Sequence, residues 1–189
     1  MTKIVAGQAG GLPLKSVPGA DTRPTTERTK EAVFSWLESR DWLQGNAILD
    51  LYTGSAGLAV EAASRGATKV TGVEQARTAA RIAQANAATV NAALGRDIVE
   101  IQQMSVQRFM RVTEPGSWDV IVADPPYDID EAELTPMIAQ AFQALMDDGL
   151  FVLERPTKAD EPHWPEDTYV VDARRYGEAM VYFVRRSGY

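Results

Sequence analysis

The chain contains no cysteine and only one histidine, His163. The first absence excludes disulfides and thiolate metal sites, and the second leaves no basis for an imidazole-built zinc site. No run reaches the roughly 18 to 20 apolar residues that cross a bilayer. The opening residues, Met1 to Gln8, have none of the apolar core of a secretory signal, which points to the cytoplasm. Internal repeats and low-complexity tracts are absent as well. So is a lysine where a triphosphate binder would need one: after the glycine turn at 54–57, none occurs before Lys69.

What is present reads as an ordinary globular protein. Of 189 residues, 45% are hydrophobic and 24% charged, enough for one domain with a substantial core. The division expected is a single domain over 1–189, with an N-terminal hairpin and helix over 1–40 and an α/β core over 41–189. Monomer is the default state. The net charge of −7 argues against a general attraction to polyanions, yet the charge is unevenly spread. Residues 1–30 hold five basic side chains (Lys3, Lys15, Arg23, Arg28 and Lys30) against two acidic ones, Asp21 and Glu27. A basic N-terminal face on an acidic body is the expectation.

Short β-like runs at Lys3 to Ala6 and Leu12 to Lys15, separated by Gly10-Gly11, predict a hairpin. Thr25 or Thr26 is placed to cap a helix carrying Ala32, Val33, Trp36 and Leu37 on one side. From residue 47 the pattern becomes regular. Strands are expected at 47–51, 69–73, 98–102, 120–123 and 150–154, alternating with helices after Gly57, over 78–94, 106–112 and 131–146. This alternation predicts a mostly parallel sheet with helices on both faces. Two further β-like runs, 168–172 and 180–185, have no helix between them and predict an antiparallel end.

In such sheets ligands bind beyond the carboxyl ends of the strands, and the chain places its unusual residues there. The first strand runs into "LDLYTGSAGLAVEA" (49–62), where Gly54 and Gly57 allow a close backbone approach to a ligand. Asp50 stands just before that loop, where it repels phosphate and welcomes a cationic or amino group, and Tyr52 in the same stretch is a further cofactor-binding candidate. The second strand ends in Glu74, 20 residues beyond Gly54, a position suited to ribose hydroxyls. The alternative role for Glu74 is an acid at a helix start. A ribose acid without a phosphate binder points to S-adenosylmethionine. At the third strand's end Ser105 is a candidate for the adenine amine and equally a helix cap, with Met104 or Val106 covering the ring face.

The fourth strand finishes in "VADPPY" (122–127). Two consecutive prolines supply no N–H and stop a regular strand. Methylating the exocyclic amine of a base needs acceptors aimed at its N–H groups, because that nitrogen's lone pair is delocalised into the ring. Asp124 offers a carboxylate and Pro125 a carbonyl, Pro126 completes the turn, and Tyr127 can stack on a base turned out of its helix. Near the N-terminus Arg23, Thr25, Arg28 and Lys30 surround a helix start, a suitable place to hold RNA phosphate. Arg174 and Arg175 are weaker candidates for the same task. His163, in "EPHWPED", is assigned no role.

Taken together, "IVAGQAGGLPL" (4–14), "TRPTTERTKEAVFSWL" (22–37), "LDLYTGSAGLAVEAASRGA" (49–67), "VEQ" (73–75), "VADPPY" and "RRYGEAMVYFV" (174–184) resemble the RsmD family of class I S-adenosylmethionine-dependent methyltransferases. The resemblance covers nearly the whole chain. It implies a Rossmann-like seven-stranded sheet and methyl transfer to the exocyclic N2 of a guanine in 16S ribosomal RNA, free or in a small-subunit assembly particle. By position it implies Asp50, Gly54, Gly57, Glu74 and Ser105 on the cofactor side and Asp124 to Tyr127 at the catalytic centre. From composition, no membrane partner and no metal are expected. Two other readings remain in view. One is methylation of adenine N6 in DNA or of a protein glutamine; the other is a non-catalytic RNA-binding assembly factor.

Overall fold

In the computed structural model, residues 2–18 and 24–188 are described, with backbone alone for 24–26. One helix precedes the sheet, α1 (Pro24–Glu38), and then strand and helix alternate: β1 (Ala47–Leu51), α2 (Gly57–Ser64), β2 (Lys69–Val73), α3 (Arg77–Leu94), β3 (Val99–Gln102), α4 (Val106–Met110), β4 (Trp118–Ala123) and α5 (Glu131–Ala144). Three strands close the chain: β5 (Leu145–Pro156), β6 (Thr168–Tyr176) and β7 (Ala179–Arg186). The seven strands form one sheet in the order β3-β2-β1-β4-β5-β7-β6. Pairing is parallel from β3 to β5, whereas β7 lies antiparallel between β5 and β6. The mostly parallel sheet with an antiparallel end is therefore found.

Period-2 alternation sorts the strand side chains onto two faces. Ile48, Val70, Val120 and Val122 pack with α1, α2 and α3, while Leu49, Leu51, Ile121 and Ala123 pack with α4 and α5. The chain runs outward from β1 to β3 and then returns to lay β4 against the other side of β1. Strand order thus reverses between β1 and β4, and the crevice at their carboxyl ends is where a ligand belongs. Leu51 pairs with Val73 on one side and Ala123 on the other, so the next residues on each strand, Tyr52, Glu74 and Asp124, leave the sheet side by side.

The expected N-terminal hairpin is reduced to a single bridge, Lys3 with Pro13, flanked by Ile4 N–H to the Leu12 carbonyl at 3.0 Å. Gly11 N–H to the Ile4 carbonyl and Leu14 N–H to the Thr2 carbonyl, both at 2.8 Å, also cross it, while other groups turn to α2. Val5 and Ala6 N–H donate to the Glu61 carboxylate at 2.8 and 3.0 Å, and Ala9 N–H donates to Ser64 Oγ at 2.9 Å. Gly7 lies so close to this helix, at φ +84°, that a Cβ there would stand 2.1 Å from the Ser64 carbonyl oxygen. The fifth strand also differs from expectation, starting at Leu145 rather than Leu150. Asp147-Asp148-Gly149 reads as a loop by composition, but Leu145 pairs with Trp118, and a register shift before Val120 absorbs the exposed acids.

Helix α1 lies against β6 and β7. Trp36 stacks on Phe183 with centroids 3.8 Å apart and donates its ring N–H to Asp172 at 2.8 Å. A buried aromatic of this kind contributes roughly 1.5 to 3 kcal/mol. This contact holds the N-terminal helix over the antiparallel end of the sheet. Among the described residues no helix is long and apolar enough to cross a membrane.

Candidate active site

The loop after β1 is held from the neighbouring β2 and the residue that follows it. Tyr52, Gly54 and Ala56 all have left-handed backbone, at φ 62°, 57° and 68°. For a tyrosine this is an uncommon conformation, sustained only where the surroundings enforce it. Thr53 N–H donates to the Val73 carbonyl at 2.9 Å and Gly54 N–H to Glu74 Oε2 at 3.0 Å. A Cβ built on Gly54 or Gly57 meets nothing within 4 Å, so the space in front of the loop is open.

Asp50 lies fully buried beneath that loop. Its Oδ2 accepts from the Thr53 hydroxyl and, at 3.1 Å, from Ala59 N–H, while no described group donates to Oδ1. Burial pushes its carboxyl up to about 7; the two hydrogen bonds oppose this, and the nearby Asp124 and Glu74 charges add to it. Three carboxylates therefore converge where the strand order reverses. Tyr52 extends to the other side, toward α4 and α5. Its hydroxyl is buried with no described partner, and burial, with Glu133 nearby, raises it to about 12.

Glu74 is not the N-cap of α3, a place taken by Ala76 without a side-chain cap bond; it braces the turn before that helix. Oε1 accepts Ala76 N–H at 2.7 Å where α3 begins, while Oε2 holds Gly54. Each carboxylate oxygen has a further lone pair for a ribose hydroxyl. Ser105 is found as the helix cap, accepting from Arg108 N–H at 3.2 Å. After β4, Asp124 is exposed and Pro125 buried, and the Pro126 carbonyl accepts from Ile129 N–H at 3.1 Å. Tyr127, 47% exposed, presents much of its ring at the surface.

The proposed phosphate holders separate. Arg23 and the side chain of Thr25 lie outside the described residues. Arg28 is exposed on α1. Lys30 corrects the expectation: it is buried, donates to the Lys3 carbonyl at 3.2 Å and stands 3.6 Å from Glu61 Oε2. The physical reason is helical periodicity. Lys30 shares a stripe with Val33, Phe34 and Leu37, so its ammonium is directed into the protein. Arg174 is exposed and paired with Asp172 at 2.8 Å, and the Arg175 Nε donates to the Gly177 carbonyl at 3.0 Å. An open hollow between α3 and β3, lined by Gln84, Asn91, Arg96 and Glu100 among others, contains none of the site residues. Several of its lining residues precede β3, at the amino end of the sheet, which is the wrong end for a ligand of this fold.

The family model described as "Conserved hypothetical protein 95", that of RsmD, matches residues 2–185. The chain belongs to the RsmD family. It is 31% identical over 160 residues to "Ribosomal RNA small subunit methyltransferase D" of Haemophilus influenzae, covering 85% of this chain and 80% of that one. Among solved structures it matches a hypothetical protein of Thermus thermophilus at TM-score 0.77 and 26% identity, over 98% of this chain and 99% of that one. Magnesium protoporphyrin IX methyltransferase from Synechocystis, solved with bound SAM, matches at TM-score 0.71 and 19% identity, over 88% of this chain and 82% of that one, a likeness of fold. The sheet is thus the Rossmann-like sheet of class I methyltransferases.

Within this RsmD-family chain, sequence reasoning missed the residues that hold the N-terminal segment in place. Glu61, fully buried, accepts Val5 N–H, Ala6 N–H and Arg65 Nε, with the Lys30 ammonium beside it. Arg65 reaches on to Glu31 at 2.8 Å and Glu38 at 3.0 Å on α1. The signal was available: Glu61 and Arg65 are an i,i+4 pair inside the otherwise small and apolar "GLAVEAAS" helix and its cap.

Proposed function

We propose that this protein transfers a methyl group from S-adenosylmethionine to the exocyclic N2 of a guanine in small-subunit ribosomal RNA. The observation that carries the reading is the meeting of Asp50, Glu74 and Asp124 at the crevice between β1 and β4, with Tyr127 presented three residues beyond Asp124. The residues suit this cofactor. The open space over Gly54 and Gly57 gives it room, and three acids without a lysine in the loop disfavour phosphate and favour hydroxyl, ammonium and sulfonium groups. The name of the Haemophilus relative supplies the substrate class.

When bound, S-adenosylmethionine supplies an electrophilic methyl carbon on a cationic sulfur. Glu74 offers its carboxylate to the ribose, and Asp50, buried beneath the loop, offers a nearby negative charge to the positive end of the same ligand. On the substrate side Asp124 and the Pro125 carbonyl accept the two N–H groups of the guanine amine, which concentrates electron density on nitrogen and aims it. Asp124 would take up the proton that the guanine nitrogen loses on methylation and pass it to water. Tyr127 stacks on the extruded base. Arg28 and, by sequence, Arg23 contact the flanking phosphates. The test is incubation with labelled S-adenosylmethionine and unmethylated 16S rRNA or small subunits, followed by nucleoside mass spectrometry. Label in N2-methylguanosine, abolished by Asp124→Ala, is the expected result. Label only in adenine, only in protein, or nowhere overturns it.

A further inference from the structure

Asn86 lies midway along α3, on the stripe Ala79, Ala80, Ala83, Asn86, Ala87 and Val90 that faces the protein interior. It is 2% exposed, the only polar side chain of that stripe. Burying an amide costs free energy unless its groups are bonded, and here they are. Oδ1 accepts Lys15 N–H at 2.9 Å; Nδ2 donates to the Lys15 carbonyl at 3.0 Å and to the Ser55 carbonyl at 2.8 Å. Both amide protons are used, which fixes the orientation of the group. A flipped amide would set oxygen against two carbonyls and nitrogen against an N–H.

The two segments this amide joins are the two halves of the proposed site. Ser55 sits in the loop after β1, between the left-handed residues Gly54 and Ala56, and Gly54 is itself held by Glu74. Lys15 ends the N-terminal segment that leads into Arg23, α1 and Arg28. A ligand whose ribose engages Glu74 acts directly on the grip that Glu74 has on Gly54, one residue from the carbonyl that Asn86 holds.

We propose that Asn86 is a positioning residue that couples cofactor occupancy to RNA affinity, by making the cofactor loop and the root of the RNA-holding segment shift as one body. This rests on the methyltransferase reading above. Linkage requires the coupling to be reciprocal, so either ligand reports it.

The experiment measures affinity of the full chain for unmethylated 16S rRNA at fixed salt, with and without saturating S-adenosylhomocysteine. The expected wild-type result is a tightening of about fivefold or more when the homocysteine compound is present. In Asn86→Ala, and in Asn86→Asp, which turns an acceptor toward two carbonyls, the ratio falls close to one. A purely structural role would lower thermal stability and the active fraction but leave that ratio intact. Equal RNA affinity with and without the compound in the wild type overturns the proposal without any variant, as does an undiminished ratio in either variant. Failure of the wild type to bind S-adenosylhomocysteine at all would strike the methyltransferase reading itself, and with it this inference.

Discussion

Glu61 on α2 and Lys30 on α1 form a buried pair, 3.6 Å apart, with side chains 0% and 8% exposed. The same carboxylate takes two backbone N–H groups from the N-terminal segment and the Arg65 Nε. One acid thus joins three separate pieces of chain. Glu61→Gln keeps the shape but removes the charge and turns an NH2 group toward donors. Breaking one partner of a buried ionic cluster costs about 3 to 5 kcal/mol. Chemical denaturation should show a loss of that size, and limited proteolysis should cut first within residues 2–18.

Arg28 and Lys30, two residues apart, should behave oppositely. Arg28 is exposed, so Arg28→Ala should leave the melting temperature unchanged while weakening RNA binding. If it meets one phosphate, the slope of log affinity against log salt should fall by about one. Lys30→Met should leave that slope alone and reduce stability, since it strips a cation from Glu61. Salt titrations of both variants distinguish the two roles, and an altered slope in the Lys30 variant would reverse the assignment made from its burial.

These two residues also show what is legible in the sequence. The order of strands and helices can be read because hydrophobic period and glycine punctuation are local signals, and the site loops follow because ligands lie at strand ends. Lys30 is misplaced when residue type is weighed above helical phase; its partner Glu61 is 31 residues away and no local pattern shows it. The hairpin is shortened for the same reason, as Val5, Ala6 and Ala9 N–H donate to Glu61 and Ser64 rather than to the opposite arm. Asn86 reads simply as part of an alanine-rich helix, although a buried-face polar residue asks for partners.

Tyr127 is 47% exposed in the loop after β4 and is proposed to stack on the target base. A ring suffices for stacking, so Tyr127→Phe should retain most activity. Tyr127→Ala should lose about 1 to 3 kcal/mol of base contact, which is about fivefold to 150-fold in kcat/KM toward RNA. S-adenosylhomocysteine affinity should stay the same in both. Steady-state kinetics with rRNA as the varied substrate, alongside calorimetry for the cofactor product, checks the split.

Asp50 should make cofactor binding depend on pH. Burial holds its carboxyl near 7 against an ordinary 3.8, so the group is mostly neutral in mildly acidic solution and mostly charged in mildly alkaline solution. A cationic ligand favours the charged form. Affinity for S-adenosylmethionine should therefore tighten about tenfold between roughly pH 6 and pH 8, the change expected when one group titrates midway. The unliganded protein should show the opposite trend. A carboxyl raised on folding adds stability at acid pH that is lost as pH climbs through its folded value, so the melting temperature should fall from about pH 4 to beyond 7. Asp50→Asn keeps an acceptor for Thr53 and Ala59 while removing the titration. Its cofactor affinity should be weaker, and both pH trends should flatten relative to the wild type. Calorimetry and thermal melts across that range measure the two effects separately, and a wild-type affinity as flat as that of Asp50→Asn would show that Asp50 keeps its charge throughout.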